Sequence, residues 1–390
     1  MSRIALQLLF RRVLLAIPIL LCVSALVFVI LRLLPATLLM HSGGRPTGTT
    51  DAVWRELAGL GATGVLVPEE LGGAGLTMVE AGVVAEELGA GLHPGPWLAT
   101  AITATRTLTQ LHGAGRENVD ALLTGIADGS SRTAVGPLHG DWPRATGDTV
   151  DGQVPALPGA AAASVLLILA DDGDEIGLYA VDPTAAGVTV TPRSHIDPTH
   201  KLADVVLDGV PARRLGALAP EDLAAVVDDV LIASGADALG AARAVLDIAV
   251  DHAKVRRQFG APIGSFQAVA HLCVDMYETV ELARGGVIHA LWAADQTASV
   301  HPYADRVSEN AYPCTLAPLE RHLAALRVRA FARRLATVGD TAIQVLGGIG
   351  FTWEHDAHLY LERLLGFSAL LGSTDHYLDS VGRALAGMDV

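Results

Sequence analysis

The chain is predicted to be an α+β protein in three successive parts: a helical region over residues 51–130, a short β region over 131–217, and a helical bundle over 218–390. Three observations carry this. Trp54, Leu57 and Leu60 recur at helical spacing, and residues 79–88 form a second apolar-and-acidic helix. From about 133 to 215 the apolar runs become short and are split by D-D-G-D (171–174) and D-P-T-A-A-G (182–187). From Pro220 onward the spacing is helical again, and Pro220-Glu221-Asp222 suits an opening turn, with proline early and acids near the positive dipole end.

The elements follow in order. Residues 13–31 are an apolar run of 19 broken only by Pro18 and Ser24, long enough to cross a hydrocarbon core, with Arg3, Arg11 and Arg12 before it. H-S-G-G-R-P-T-G-T-T (41–50) is a linker, and P-E-E-L-G-G-A-G-L (68–76) reverses the chain through Gly72, Gly73 and Gly75. Residues 165–170, 176–181, 187–191 and 205–207 read as strands of an antiparallel unit. Helices are expected at about 221–254, 266–296, 318–342 and 374–387, with a polar, proline-containing insertion at 301–317.

A formal charge of -15 without basic clusters excludes a nucleic-acid partner, since phosphate binding needs concentrated Lys and Arg. Cys22, Cys273 and Cys314 lack metal-ligand spacing and are too few for a disulfide framework, so a reduced, cytoplasmic protein is expected. The hydrophobic fraction of 51% and mean hydropathy of +0.40 come largely from Ala, Leu and Val in helix-like runs.

Three motifs in order add a resemblance. W-R-E-L-A-G-L-G-A-T-G-V-L-V-P-E-E-L-G-G-A-G-L (54–76), R-R-Q-F-G (256–260) and Q-V-L-G-G-I-G (344–350) resemble the acyl-CoA dehydrogenases across about residues 51–390. The resemblance implies FAD, an acyl-CoA thioester substrate, α,β-dehydrogenation, and a three-part fold whose C-terminal four-helix bundle supplies the oligomer interface. It implies an electron-transfer flavoprotein as a further partner. It also assigns Arg256 to the FAD diphosphate of a neighbouring subunit, a task suited to a planar, permanently charged guanidinium. Phe259, Gln267, Gln344, Gly348 and Thr374 match further flavin-contacting positions. Residues 8–35 separately resemble the first membrane helix of dipeptide-type ABC transporter permeases. Three readings stand for that segment: a joined foreign reading frame, which is favoured, a membrane tether, or an apolar helix packed on the domain.

The catalytic base is where the pattern fails. The family's glutamate precedes the Gly-Thr of an E-G-T turn, and counting from Arg363 its place is taken by Gly372. A minority of members carry it on the first bundle helix. That place falls on Val230, with Asp228 and Asp229 as its nearest carboxylates, each offset by about 100° or more and more simply read as a solvated face. Glu362 and Asp375 have no motif support. The loop and strand that embrace the flavin ring in the family read here A-V-G-P-L-H-G-D-W-P-R-A-T-G-D (134–148) and P-A-L-P-G-A-A-A-A-S-V-L-L (155–167), so both motifs are lost. His139, Asp141 and Trp142 could contact a ligand, with packing the simpler role for Trp142.

Kept phosphate contacts with a missing base resemble the base-lacking chains of actinobacterial heteromeric acyl-CoA dehydrogenases. The expectation is a subunit completing a shared FAD site beside a Glu-bearing homologue. The alternatives are a self-sufficient enzyme using Asp228 or Asp229, and a non-catalytic scaffold.

Overall fold

The computed structural model describes residues 47–111, 116–173, 175–296 and 318–386. The apolar, permease-like segment and the insertion at 301–317 lie outside these residues. No described helix is long and apolar enough to cross a membrane.

The first helical part holds α1 (Asp51–Gly59), α2 (Met78–Ala90), a π-helix (Leu98–Ala104) running into α3 (Thr105–Thr109), and α4 (Arg116–Ala127). Its helices begin where side chains can satisfy free N–H groups. The Thr50 hydroxyl accepts from Val53 N, and Thr77 with Glu80 forms a reciprocal capping box. Two buried tryptophans then fix the layout through their indole N–H groups: Trp54 donates to Gly129 O at 2.9 Å and Trp97 to Ala62 O at 2.8 Å.

The middle part is one sheet of β1 (Thr133–Gly136), β2 (Arg144–Thr146), β3 (Thr149–Pro158), β4 (Val165–Asp171), β5 (Ile176–Val181), β6 (Val188–Arg193), β7 (Leu202–Pro211) and β8 (Arg213–Leu218). Its order is β6-β7-β3-β2-β4-β5-β8, with β1 also on β4. The expected antiparallel unit needs correction, because β1 and β2 both pair with β4 in parallel. Burial explains the run V-L-L-I-L-A in β4. Leu166 and Ile168 face one core, while Leu167 and Leu169 face another shared with Leu108, Leu123 and Ile126. A strand buried on both faces loses its polar alternation.

The bundle comprises α5 (Pro220–Val255), a two-strand turn of β9 (Arg257–Gln258) and β10 (Ala261–Pro262), α6 (Gln267–Gln296), α7 (Pro318–Ala330), α8 (Ala332–Leu346), α9 (Ala357–Ala369) and α10 (Thr374–Leu385). The single helix expected over 318–342 is instead two, broken at Phe331. Phe331 borders a cavity of about 190 Å³ against Ala283, Gly286 and Val287 of α6. Helix α9 escaped the sequence reading.

Two contacts lock the parts together. Where α2 crosses α5, a Cβ on Gly89 would collide with the Asp237 carbonyl, and one on Gly240 with the Glu86 carbonyl. The helices therefore touch backbone to backbone. One turn away, the buried Arg363 of α9 donates to both Asp237 carboxylate oxygens (2.9 and 3.1 Å), to Thr199 Oγ1 and to His93 O. One guanidinium thus joins α5, the β6–β7 loop and the chain following α2. Gly240→Ala is expected to cost at least the roughly 1–3 kcal/mol of core overpacking, seen as a lower denaturant midpoint. An unchanged midpoint would refute the backbone contact.

Candidate functional site

Helix α5 ends at Arg256, whose backbone is already extended (φ -65°, ψ 126°), and the chain turns back through β9 and β10. Arg256 is exposed and has no carboxylate at ion-pair distance among the described residues. Phe259 is 94% exposed at φ +51°, a conformation uncommon for an aromatic residue, and its ring meets Phe266 edge-on at 6.1 Å. Gln267, the first residue of α6, is also exposed.

The second motif lies at the end of α8. Gln344 is exposed on its last turn, and Gly347–Phe351 forms a 3₁₀ turn with Gly348 at the surface. A Cβ at Gly348 would meet nothing within 4 Å, so this backbone is open to close approach. Exposed Phe351 and Trp353 follow, and Trp353 stacks edge-on with His358.

His252 lies on the last turns of α5, ahead of the first motif. It sits one turn before Arg256 on α5, within electrostatic reach of both Arg256 and His355. Partial burial first, then those two groups, pushes its pKa below the ordinary histidine value. Sequence reasoning missed this histidine and His355. The helical spacing to Arg256 was a usable signal for the first, but nothing local announced the second.

Thr374 lies elsewhere and is buried at the start of α10. Its hydroxyl accepts from Arg329 Nη1 at 3.3 Å and so faces inward. Arg329 is wholly buried without a carboxylate partner among the described residues. It donates to the carbonyls of Leu370 (2.9 Å), Ser368 (2.9 Å) and Gly372 (2.6 Å), and lies over the Phe367 and Tyr377 rings. The turn between α9 and α10 is thus wrapped around a guanidinium. Leu371 and Gly372 occupy positive φ (+51° and +121°), and at +121° a side chain would be strained. The backbone at position 372 suits glycine and disfavours glutamate.

Asp228 and Asp229 are not on a solvated face, and that expectation is corrected. Both are buried. Asp229 accepts from Arg106 Nε and Arg321 Nη2, each at 2.6 Å, and Asp228 meets His322 Nδ1 at 2.8 Å. The Asp228 hydrogen bond raises the His322 pKa above its usual value. Glu362 is half-buried on α9, with burial pushing its carboxyl pKa up. Asp375 is exposed and lies 3.6 Å from Arg333. His139 and Asp141 are exposed, while Trp142 packs against the core beneath the sheet.

Residues 40–130 match the acyl-CoA dehydrogenase N-terminal domain, and 232–386 match the C-terminal domain. The first match starts beyond the permease-like segment. Acyl-CoA dehydrogenase FadE34 of Mycobacterium tuberculosis is 36% identical over 344 residues, covering 87% of this chain but only 43% of that protein. The chain spans less than half of that relative. Acyl-CoA dehydrogenase IpdE2 of the same organism is 32% identical over 84% of each chain. Among solved structures, a variant of the Tcur3481-Tcur3483 steroid ACAD superposes with a TM-score of 0.78 at 28% identity, over 94% of this chain and 98% of that one. With both terminal domains matched and a relative above 30% identity aligned over most of its length, the protein belongs to the acyl-CoA dehydrogenase family, whose members are FAD-dependent.

Proposed function

We propose that this chain is one subunit of a heteromeric, FAD-dependent acyl-CoA dehydrogenase. It holds the diphosphate end of FAD, while a homologous Glu-bearing subunit supplies the base. The observation that carries this reading is the contrast between two loops. Arg256 and Gly348 are both exposed, the Gly348 backbone is open to close approach, and among the described residues no carboxylate lies at ion-pair distance from Arg256. At Gly372 the base position has no side chain, and its carbonyl is committed to Arg329.

The division of labour follows from the chemistry. FAD, when bound, supplies the two-electron acceptor for the substrate's Cβ hydride. Arg256 pairs with phosphate oxygens through charge-assisted hydrogen bonds. Gly347 and Gly348 leave room for the dinucleotide backbone, and Phe259 offers an apolar surface beside it. Abstraction of the α-proton needs a carboxylate near Cα in a dry site, and the glutamate of the partner fills that role. The Tcur3481-Tcur3483 protein is named as a pair and as a steroid ACAD. By that likeness, the substrate class is a CoA thioester of a steroid side chain.

Self-sufficient catalysis through Asp228 or Asp229 is opposed by their contacts. Each Asp229 oxygen already accepts a short bond from a guanidinium, and Asp228 serves His322. These acids pin α5 to α3 and α7. Asp229→Asn would leave Arg106 and Arg321 short of charge, with an expected loss of about 3–5 kcal/mol in denaturant unfolding. A stable variant lacking only turnover would favour the self-sufficient enzyme.

The decisive test is co-expression with a homologue that has an intact E-G-T turn. The purified pair is expected to be yellow and to bleach with an acyl-CoA, whereas this chain alone shows no turnover. Arg256→Ala in the pair is expected to lose flavin. Full flavin content and activity in that variant would leave the chain a scaffold.

A further inference from the structure

We propose that the cavity between α6, α7 and α8 is a binding site for a small amphiphilic carboxylate, an acid whose apolar part has about the bulk of a single aromatic ring. The site does not depend on the FAD-holding role proposed above, since none of its lining residues is among the flavin-facing positions.

The cavity measures about 190 Å³. An apolar cavity of roughly 150 Å³ stays dry and admits a benzene-sized guest, so this one has room for a ring and a short chain. Its floor is aliphatic: Ala283 and Val287 of α6, Val328 of α7 and Leu335 of α8 line it, and all four are buried. Phe331 forms a wall at the break between α7 and α8, where its N–H is shared between Arg327 O (3.3 Å) and Val328 O (3.2 Å). Val328 is seated firmly on α5, because a Cβ on Gly235 would come within 2.1 Å of its Cγ1. Helix α7 is thus packed to contact on its α5 side while its α6 side stays open.

Two features of the mouth indicate what enters. The first is a glycine. Gly286 borders the cavity and is exposed within α6, a helix of 30 residues. Glycine is a poor helix former in such a position, and a Cβ on Gly286 would meet nothing within 4 Å. Unlike Gly89 and Gly240, it answers to no close packing among the described residues; what it provides is an unobstructed entrance. The second feature is charge. Arg327 borders the cavity and is exposed, so its aliphatic stem can line the apolar wall while its guanidinium stays in water. Arg334 lies 5.4 Å over the Phe331 ring. Other arginines on these helices are committed: Arg284 lies 3.0 Å from Glu86 and Arg333 lies 3.6 Å from Asp375. Arg327 and Arg334 have no carboxylate at ion-pair distance among the described residues. An apolar floor beneath uncommitted guanidiniums favours an apolar body with a planar anionic head, which a guanidinium can bind through two parallel hydrogen bonds. In a chain of net charge -15, this cationic mouth runs against the general field.

The experiment titrates the full-length chain with hydrocinnamate, with toluene as an uncharged counterpart and inorganic phosphate as an anion lacking an apolar part, read by calorimetry. Saturable binding is expected for hydrocinnamate, weaker binding for toluene, and none for phosphate. Arg327→Gln is expected to weaken hydrocinnamate about two- to fivefold, the range of an exposed ion pair, and to leave toluene unchanged. Raising salt from about 0.05 M to about 0.5 M is expected to act in the same way. Gly286→Leu sets a side chain across the mouth and is expected to abolish binding of both compounds while keeping or raising the denaturant midpoint. The inference is overturned if hydrocinnamate does not saturate, or if Gly286→Leu binds it as the wild type does. It is equally overturned if Arg327→Gln and added salt both leave hydrocinnamate affinity unchanged, or if phosphate displaces it. Should Gly286→Leu fail to fold, the Arg327→Gln and salt measurements decide the matter by themselves.

Discussion

Backbone contact between α2 and α5 is the constraint on which the molecule depends. At about 1.5 Å per residue, the 36 residues of α5 make the longest element described, and nearly every functional position is measured from it. Gly89 and Gly240 let the two helices meet without side chains between them. That contact sets the position of Asp237 for Arg363 and of Asp229 for Arg106 and Arg321. It also sets where the last turn of α5 presents Arg256. A shift of α5 by one residue would turn Asp229 away from both arginines and bury a charge without a partner. The buried ion pairs thus contribute register more than net stability, since their Coulomb gain is largely offset by desolvation.

The second organising charge is Arg329. A guanidinium in the interior normally has a carboxylate, but this one is matched by three carbonyls, a hydroxyl and two aromatic rings. Its desolvation cost is met by dipoles that the α9–α10 turn can supply only in one conformation. That conformation places Leu371 and Gly372 at positive φ. The lack of a carboxylate at position 372 is therefore more than a side chain deleted from an otherwise standard loop. The loop is built around another charge, and the glycine follows from its geometry.

The sequence was informative where the signal is local. Helix α5 begins at the proline and acids that announce it, and R-R-Q-F-G marks its end. Long-range features were not legible. Asp228 and Asp229 look like surface acids because their partners, Arg106, Arg321 and His322, lie roughly a hundred residues away in the chain. Strand β3 carries polar and glycine residues that hide it, and β1 and β2 are too short to show alternation. The parallel pairing with β4 leaves no pattern in any one strand. The break at Phe331 has neither glycine nor proline beside it, and its only visible correlate is the cavity against α6. Gly372 could be placed by counting, but Arg329 beneath it could not.

Energetics bear on the open loop at Phe259. Phe259 holds a positive φ with its ring almost fully in water. A strained non-glycine backbone costs on the order of 1–3 kcal/mol, and burying a phenyl ring recovers about 1.5–3 kcal/mol. In the lone subunit the first cost is incurred without the second gain. The two magnitudes match only when something covers the ring, either the dinucleotide or the surface of a partner. Arg256 differs, because a cation at the negative end of a helix is favourably placed, and it has no carboxylate at ion-pair distance among the described residues. Backbone strain, exposed apolar surface and an unpaired cation coincide on one short loop, the combination that the proposed anionic, aromatic ligand would cover.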